Sequence, residues 1–415
     1  MNAVVKADID SLINDHQDGY SLAQEFYRSP DIFEQDMNRL LTQRWLLVDH
    51  ESRIPNKGDY FLFEIGNESI IIIRESEDRV NAFFNVCRHR GSLICLEQQG
   101  NKGLLTCPYH AWTYALDGQL RPPRLMPEGF DRSKYNLHPC HIRVFHGLIF
   151  VCLSEESPPD FDKEFGFYDE ALGFHGFKDA KIAVKRDYPN ACNWKLVVEN
   201  FLECYHCAPA HAEYSAVHPE DQLLALGAGP GSGPAEALEA YEDEWNAWKD
   251  KARALGHPLP EVECDENTLH MSQLSRLPIN NMGFESETRD GKPGSKKLMG
   301  KFKQCDQGET AFAFTPVSYI LASNDFAMMA RFTPRDTMNT DVQLSWLVHK
   351  DAEEGVDYDP DNLAWVWDVT IKQDKKITED NDAGISSSRY QPGPYSEHEA
   401  MVIKFIRWYI NGVSK

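Results

Sequence analysis

Runs rich in β-branched and aromatic residues at 60–65 (YFLFEI), 69–75 (SIIIIRE) and 80–86 (VNAFFNV) are separated by the polar turn sequences GNE and SEDR. The pattern predicts three strands, the last delivering Cys87 at its end. Further strands are expected at 103–106 (GLLT), at 112–116 (WTYAL) before an Asp117-Gly118 hairpin turn, and within 144–153 (VFHGLIFVCL). Residues 45–154 are therefore expected to form a small all-β domain. Ahead of it, Phe26, Phe33, Met37, Leu40, Leu41 and Trp45 recur at helical spacing and predict a helical arm over 1–44. Behind it, the acidic, proline-containing SEESPPDFDKEF and a helical patch near 168–174 read as a linker over 155–184.

A second domain, 185–415, is expected to follow, its first strand signal being KIAVKRDYP. In 193–206 (NWKLVVENFLECYH), Trp194, Val197, Val198, Phe201, Leu202 and Tyr205 fall on one stripe, which predicts a helix ending before Pro209. The run 227–234 (GAGPGSGP) has no complete GxGxxG and follows no visible strand, so it reads as a loop, with an acidic helix after it. Strand-like runs return from 311 to 348, and helices over 361–380 and 397–410 finish the chain. A sheet with covering helices makes this domain, and the fold class as a whole, α+β.

Cys87-x-His89 and Cys107-x-x-His110 each offer one thiolate and one imidazole from a single loop. Two such loops can place both sulfurs on one metal and both nitrogens on another, the ligand set of a Rieske [2Fe-2S] centre. A Cys2His2 zinc site uses the same residue types, but its ligands usually come as CxxC and HxxxH. The eight other cysteines form no second paired framework and read as small apolar residues. Further on, His206 and His211 in ECYHCAPAH are close enough to be neighbours on one metal, or else are ordinary core or surface histidines. Asp374 shares a helical face with Leu363, Val366, Trp367 and Ile377 and would point inward. Two histidines and one carboxylate bound facially leave positions open on Fe(II) for O2.

At 415 residues and 42% hydrophobic composition the chain can bury two or three cores. Its net charge of −23 argues against nucleic acid or an anionic membrane as partner. The first residues lack a basic start followed by an apolar run, and the longest apolar stretch, 144–153, is too short to span a bilayer. With thiols that must stay reduced to bind iron, a cytoplasmic location is expected.

Together these motifs resemble the oxygenase (α) component of Rieske non-haem iron oxygenases over nearly the whole chain. The resemblance implies an N-terminal Rieske domain on Cys87, His89, Cys107 and His110, and a C-terminal helix-grip catalytic domain holding iron on His206, His211 and Asp374. It implies a homotrimer in which Glu203, paired with His110, carries electrons between subunits. The carboxylate in ECYHC, with GFESETRDGKP, WLVHKDAEEGVDYD, SRYQPGPYSEHE and FIRWYI, is most similar to the group acting on glycine betaine, stachydrine and carnitine. That group implies N-methyl hydroxylation with O2 and release of formaldehyde, fed by NAD(P)H through a separate flavin and iron-sulfur reductase, since no dinucleotide fingerprint is present. The alternative is an aromatic-ring-hydroxylating dioxygenase large subunit. Asp382 stands where relatives commonly carry Gln, which bears on the hydrogen bonding near the iron carboxylate. A quaternary cation needs several aromatic faces, for which Phe312, Phe314, Tyr319, Phe326 and Trp365 are candidates.

Overall fold

The structure, a computed structural model, describes residues 9–219, 235–279 and 283–414, with the backbone alone for 235–240. The loop expected at 227–234 lies outside the described residues. The described residues divide into two compact units, Thr42–Pro159 and the described parts of 9–41 and 160–414.

In the smaller unit, β1 (Leu46–His50), β9 (Leu148–Cys152) and β8 (His141–Phe145) form one antiparallel sheet. A second runs β4 (Arg79–Phe84), β3 (Glu68–Ser76), β2 (Asp59–Ile65) and β5 (Gln99–Asn101), and β6 (Leu105–Thr106) pairs with β7 (Thr113–Tyr114) as a short ribbon. Ile70 to Ile73 are completely buried, so the unbroken apolar run of β3 reflects burial on both faces. The apolar run at 144–153 is folded into a hairpin, because His146 and Gly147 both take positive φ (50° and 82°) and supply the turn whose twist suits antiparallel strands. Ile71, Ile73, Phe83, Leu105, Trp112 and Tyr114 pack into one core directly beneath Cys87 and Cys107.

The larger unit is built on a seven-stranded antiparallel sheet in the order β10-β16-β15-β14-β13-β12-β11. Its strands are β10 (Ala180–Asn190), β11 (Glu261–Val262), β12 (Gln273–Pro278), β13 (Gly308–Thr315), β14 (Ser318–Ala322), β15 (Phe326–Asp336) and β16 (Asn339–His349). Five consecutive neighbours form a meander from β12 to β16, and the earliest strand closes the far edge beside β16 with Lys185 opposite Ser345. A helix of 26 residues, Pro360–Ile385, carries one buried stripe that includes Leu363, Val366, Trp367, Ile371, Asp374 and Thr378. Asp359 caps its first turn by accepting the Asn362 N–H, and proline follows at the first helical position.

The residues expected to be linker, 155–184, belong structurally to this larger unit from Asp160 onward. Phe161–Phe165 and Asp169–His175 are helical, and Phe165, Tyr168 and Phe177 are buried. Tyr168 donates its hydroxyl to the Gln273 carbonyl of the sheet. Strand β10 accordingly starts at Ala180, five residues before the expected boundary. The segment from Ile9 to Leu41 packs here as well: Asp36 is fully buried, pairs with the buried Lys195 ammonium and accepts the Tyr409 hydroxyl at 2.7 Å. The last helix is Ala400–Val413, entered through a capping box between Ser396 and Glu399. Among the described residues no helix is long and apolar enough to cross a membrane.

Candidate metal centres

Two turns of the small unit carry the cysteine–histidine pairs. In the first, the Gly91 N–H donates to the Cys87 carbonyl (3.0 Å) and the Cys87 N–H to Ser92 (2.8 Å), with Gly91 at φ 74°. The second repeats this plan: the Ala111 N–H donates to the Cys107 carbonyl (3.1 Å), the Cys107 N–H to Trp112 (2.8 Å), and Ala111 takes φ 59°. Cys87 and Cys107 are 3% and 2% exposed, whereas His89 and His110 lie at the surface with ring centroids 4.7 Å apart. His89 stacks on Trp112 at 4.9 Å and 11°. The buried Tyr114 hydroxyl contacts the Cys87 sulfur at 3.4 Å and accepts the Arg88 N–H at 3.1 Å.

This donor set fits a binuclear cluster. Two thiols meet inside the core while two imidazoles meet at the rim, so sulfur and nitrogen are segregated to opposite ends, as two irons with different ligands require. Burial, with Cys107 adding to it, pushes the Cys87 thiol up. The Cys87 thiol ionises readily only when a cation shares the site.

In the larger unit, His206, His211 and Asp374 are the one described group of three side chains whose possible ligand atoms all lie within 4.8 Å of one another. His206 Nε2 is 3.1 Å from His211 Nε2 and 3.3 Å from Asp374 Oδ1, and His211 Nε2 is 2.9 Å from the same oxygen. Each ring is turned by a partner on its other nitrogen. His206 Nδ1–H donates to Glu203 Oε1 at 2.6 Å, and His211 Nδ1–H to Gln373 Oε1 at 2.8 Å, which leaves both Nε2 lone pairs directed at the shared point. Burial alone would lower His206, but its hydrogen bonds to Asp374 and Glu203 outweigh burial and lift it to about 10. The surroundings thus favour positive charge at this ring. Burial likewise opposes ionisation of Asp374, yet the two imidazoles hold it below the ordinary carboxylate range. Two converging lone pairs and a carboxylate fit a divalent cation bound facially.

The expected helix through 193–206 stops earlier, at Phe201, and Tyr205 is exposed rather than part of the stripe. Glu203 and His206 therefore do not share a helical face. The Glu203 carboxylate instead turns back to accept the backbone N–H groups of Tyr205 and His206 (the latter at 3.2 Å), and these bonds bend the chain so that His206 faces Asp374. Pro209 sits inside a further short helix, Cys207–Ala210, where a first-turn proline has no N–H to lose. Asp382 is buried two turns beyond Asp374 and is paired with Arg28 at 3.0 Å rather than with a residue of the cluster. That place belongs to Gln373, whose Nε2 also donates to Glu213 Oε2 at 3.0 Å. Asn200 joins as well, 3.2 Å from His206 Nε2. Neither was singled out from sequence, although Gln373 adjoins Asp374 and Asn200 precedes Glu203 by three residues.

Glu203 and His206 also border a cavity of about 310 Å³ shared with Glu199, Tyr395 and Glu399. Burial pushes Glu199 up to about 7 even though the Tyr27 and Tyr395 hydroxyls donate to it at 2.9 and 3.1 Å. Of the aromatic candidates for a substrate cage, Phe312 and Phe314 pack against Tyr168, and Trp365 lies beneath Arg289. Tyr319 meets Phe201 at 4.6 Å, on the side of the metal-ligand cluster.

A β-domain built around paired Cys/His turns and a sheet-and-helix domain presenting two histidines and one carboxylate define an oxygenase that couples an electron-storing cluster to a mononuclear iron. Residues 44–128 match the Rieske [2Fe-2S] domain family and residues 177–414 the ring-hydroxylating alpha subunit (catalytic domain) family. The chain belongs to this family of Rieske non-haem iron oxygenases. It is 37% identical over 404 residues to the glycine betaine monooxygenase oxygenase subunit of Pseudomonas aeruginosa, covering 96% of this chain and 90% of the relative. The carnitine monooxygenase oxygenase subunit of Escherichia coli (strain K12) is 33% identical over 202 residues, 48% of this chain and 54% of the relative. Among solved structures, the quaternary ammonium Rieske monooxygenase CntA in complex with L-carnitine shares the fold with a TM-score of 0.66 at 22% identity, covering 98% of this chain and 99% of that one. Naphthalene 1,2-dioxygenase from Rhodococcus sp. shares it with a TM-score of 0.64 at 16% identity, over 98% and 97%.

Proposed function

We propose that this chain is the oxygenase component of a monooxygenase that removes an N-methyl group from a quaternary ammonium compound of the glycine betaine or stachydrine kind. The observation carrying this reading is the full-length similarity to glycine betaine monooxygenase oxygenase subunits, joined to a histidine–histidine–carboxylate cluster suited to iron. In the proposal Cys87, His89, Cys107 and His110 hold the [2Fe-2S] cluster, and His206, His211 and Asp374 hold the iron. Iron bound there would supply the activation of O2 needed to hydroxylate an N-methyl carbon.

The chain's own groups do the positioning. Glu203 and Gln373 fix the two imidazoles by their Nδ1 hydrogens, and Asp374 is kept ionised by both rings. In sum, O2, two electrons and two protons convert the methyl group to hydroxymethyl and water; the hydroxymethyl ammonium then breaks its C–N bond to give formaldehyde, a tertiary amine and a proton. The electrons come from NAD(P)H through a separate flavin and iron-sulfur reductase. Glu203, partly exposed beside the cavity, is the carboxylate suited to bridge His206 to His110 of a second copy in a homotrimer. A cytoplasmic location belongs to the same proposal.

With a surrogate reductase, formaldehyde release from glycine betaine, stachydrine, carnitine and choline is the test; cis-diol formation from arenes and none from betaines would favour the dioxygenase alternative. Asp374→Ala is expected to lose mononuclear iron and turnover while the cluster spectrum persists, and unchanged iron content would move the ligand elsewhere.

A further inference from the structure

From the metal-ligand cluster a continuous aromatic wall leads to a pair of enclosed carboxyl groups. The His211 ring meets Tyr214 at 6.5 Å, Tyr214 meets Trp367 at 5.4 Å, and Trp367 meets Phe201 at 6.1 Å. Trp367 Nε1–H donates to Glu287 Oε2 at 2.9 Å, and His218 Nε2 lies 2.5 Å from Glu287 Oε1, so both oxygens of Glu287, itself 2% exposed, are engaged. Glu309 is its neighbour from β13. Its carboxyl group shares a side-chain hydrogen bond with Glu287, and among the described residues no N–H donor reaches its buried Oε2.

The nearby cation does not satisfy it. Arg276 directs Nη2 to both oxygens of Asp306 (2.8 and 3.0 Å) and Nη1 to Thr310 at 2.7 Å. Nor do His218, Glu287 and Glu309 form a metal site, since His206, His211 and Asp374 are the one described group with that spacing. On the sheet, Glu309 shares a face with Ala311 and, across the ladders, with Leu277, Ser275 and Leu321, all partly open.

We propose that Glu309, backed by Glu287 and walled by Trp367 and Tyr214, is the counter-ion subsite for the substrate's quaternary nitrogen. The proposal rests on the quaternary ammonium reading above. A quaternary nitrogen has no N–H, so hydrogen-bond acceptors cannot recognise it as they do an ammonium; it needs aromatic faces and a negative charge not already neutralised by donors. Two enclosed carboxyl groups that share a hydrogen bond carry less than their full charge in the empty protein, and a permanent cation matches the charge they can gain. Burial and the charge of Glu287 hold Glu309 well above the usual carboxylate range, so the pair gains its second charge when a cation arrives.

The test uses iron- and cluster-loaded protein and calorimetric titration with glycine betaine, its tert-butyl carbon isostere and tetramethylammonium. Glu309→Gln is expected to weaken both cations by about tenfold or more while the isostere changes by less than about twofold, with Glu309→Asp restoring part of the loss. Equal losses for cation and isostere, or none for either, overturn the subsite. Wild-type protein that binds tetramethylammonium but demethylates no betaine refutes the proposed substrate and leaves the subsite standing; wild-type protein that binds neither cation overturns the subsite. If Glu309→Gln does not retain its metals, the cation-to-isostere ratio is read in Glu309→Asp, where an unchanged ratio overturns the proposal.

Discussion

Replacing Tyr114 by Phe removes one hydroxyl from the interior of the Rieske-type unit and leaves the ring in place. The hydroxyl is completely enclosed, contacts the Cys87 sulfur at 3.4 Å and accepts the Arg88 N–H at 3.1 Å. With the Arg88 N–H occupying its acceptor side, its own hydrogen is free to point at the sulfur. A hydrogen bond to a charged acceptor is worth about 1.5–3 kcal/mol. Only the part that strengthens when the cluster gains an electron alters the potential. If that is about 1 kcal/mol, a one-electron couple at 59 mV per tenfold shifts by roughly 40 mV. The sign is fixed by chemistry: withdrawing a donor from a sulfur destabilises the more negative, reduced state, so Tyr114→Phe is expected to lower the midpoint potential. Spectroelectrochemical titration of the purified protein, with the cluster absorption as readout, measures the shift directly. The Arg88 N–H also loses its acceptor, so a small drop in thermal stability should accompany it. A rise in potential, or a change under about 10 mV, would refute the assignment of this hydroxyl as a donor to the cluster sulfur.

Glu203→Gln keeps the shape of the side chain but removes the charge facing His206 Nδ1 at 2.6 Å, so Fe(II) affinity in anaerobic titration is expected to fall by about 10-fold; cluster oxidation in the presence of substrate and O2 should slow alongside it. Glu199 is expected to make stability depend on pH in the direction opposite to a salt-bridged carboxylate. Its folded value of about 7 lies above the unfolded 4.5, so its contribution is fully present below about pH 4.5 and is lost as pH rises through about 7. Glu199→Gln should therefore be neutral near pH 4.5 and stabilise by up to about 3 kcal/mol at pH 8, read as a difference in Tm between the two proteins at each pH.

Much of the site was legible in sequence because metal ligands must be a few residue types at close spacing. Cys87, His89, Cys107 and His110 could be read from two short motifs, since each turn closes on its own backbone hydrogen bonds and needs little from elsewhere. His206 and His211 could be paired for the same reason. Asp374 needed more: it was found because one carboxylate on an otherwise apolar helical stripe is out of place unless something inside requires it. What could not be read was how Glu203 holds His206, because the stripe predicts a helix five residues longer than the one that forms, and Tyr205 does not join it. Gln373, Asn200, Glu287 and Glu309 were equally silent, being unremarkable polar residues until the fold encloses them.

Local sequence determined the strands, the two Cys/His turns, the buried face of Pro360–Ile385 and the nature of the metals they suit, since periodicity and ligand spacing act over a few residues. Tertiary structure alone decided which residues those ligands meet. It joined residues 163 positions apart in His211 and Asp374, drew residues 160–184 into the larger unit, and set the Glu309 carboxyl group against that of Glu287. The physical reason is that burial and pairing across strands arise only when distant segments exclude water together, and no stretch of chain carries that information alone.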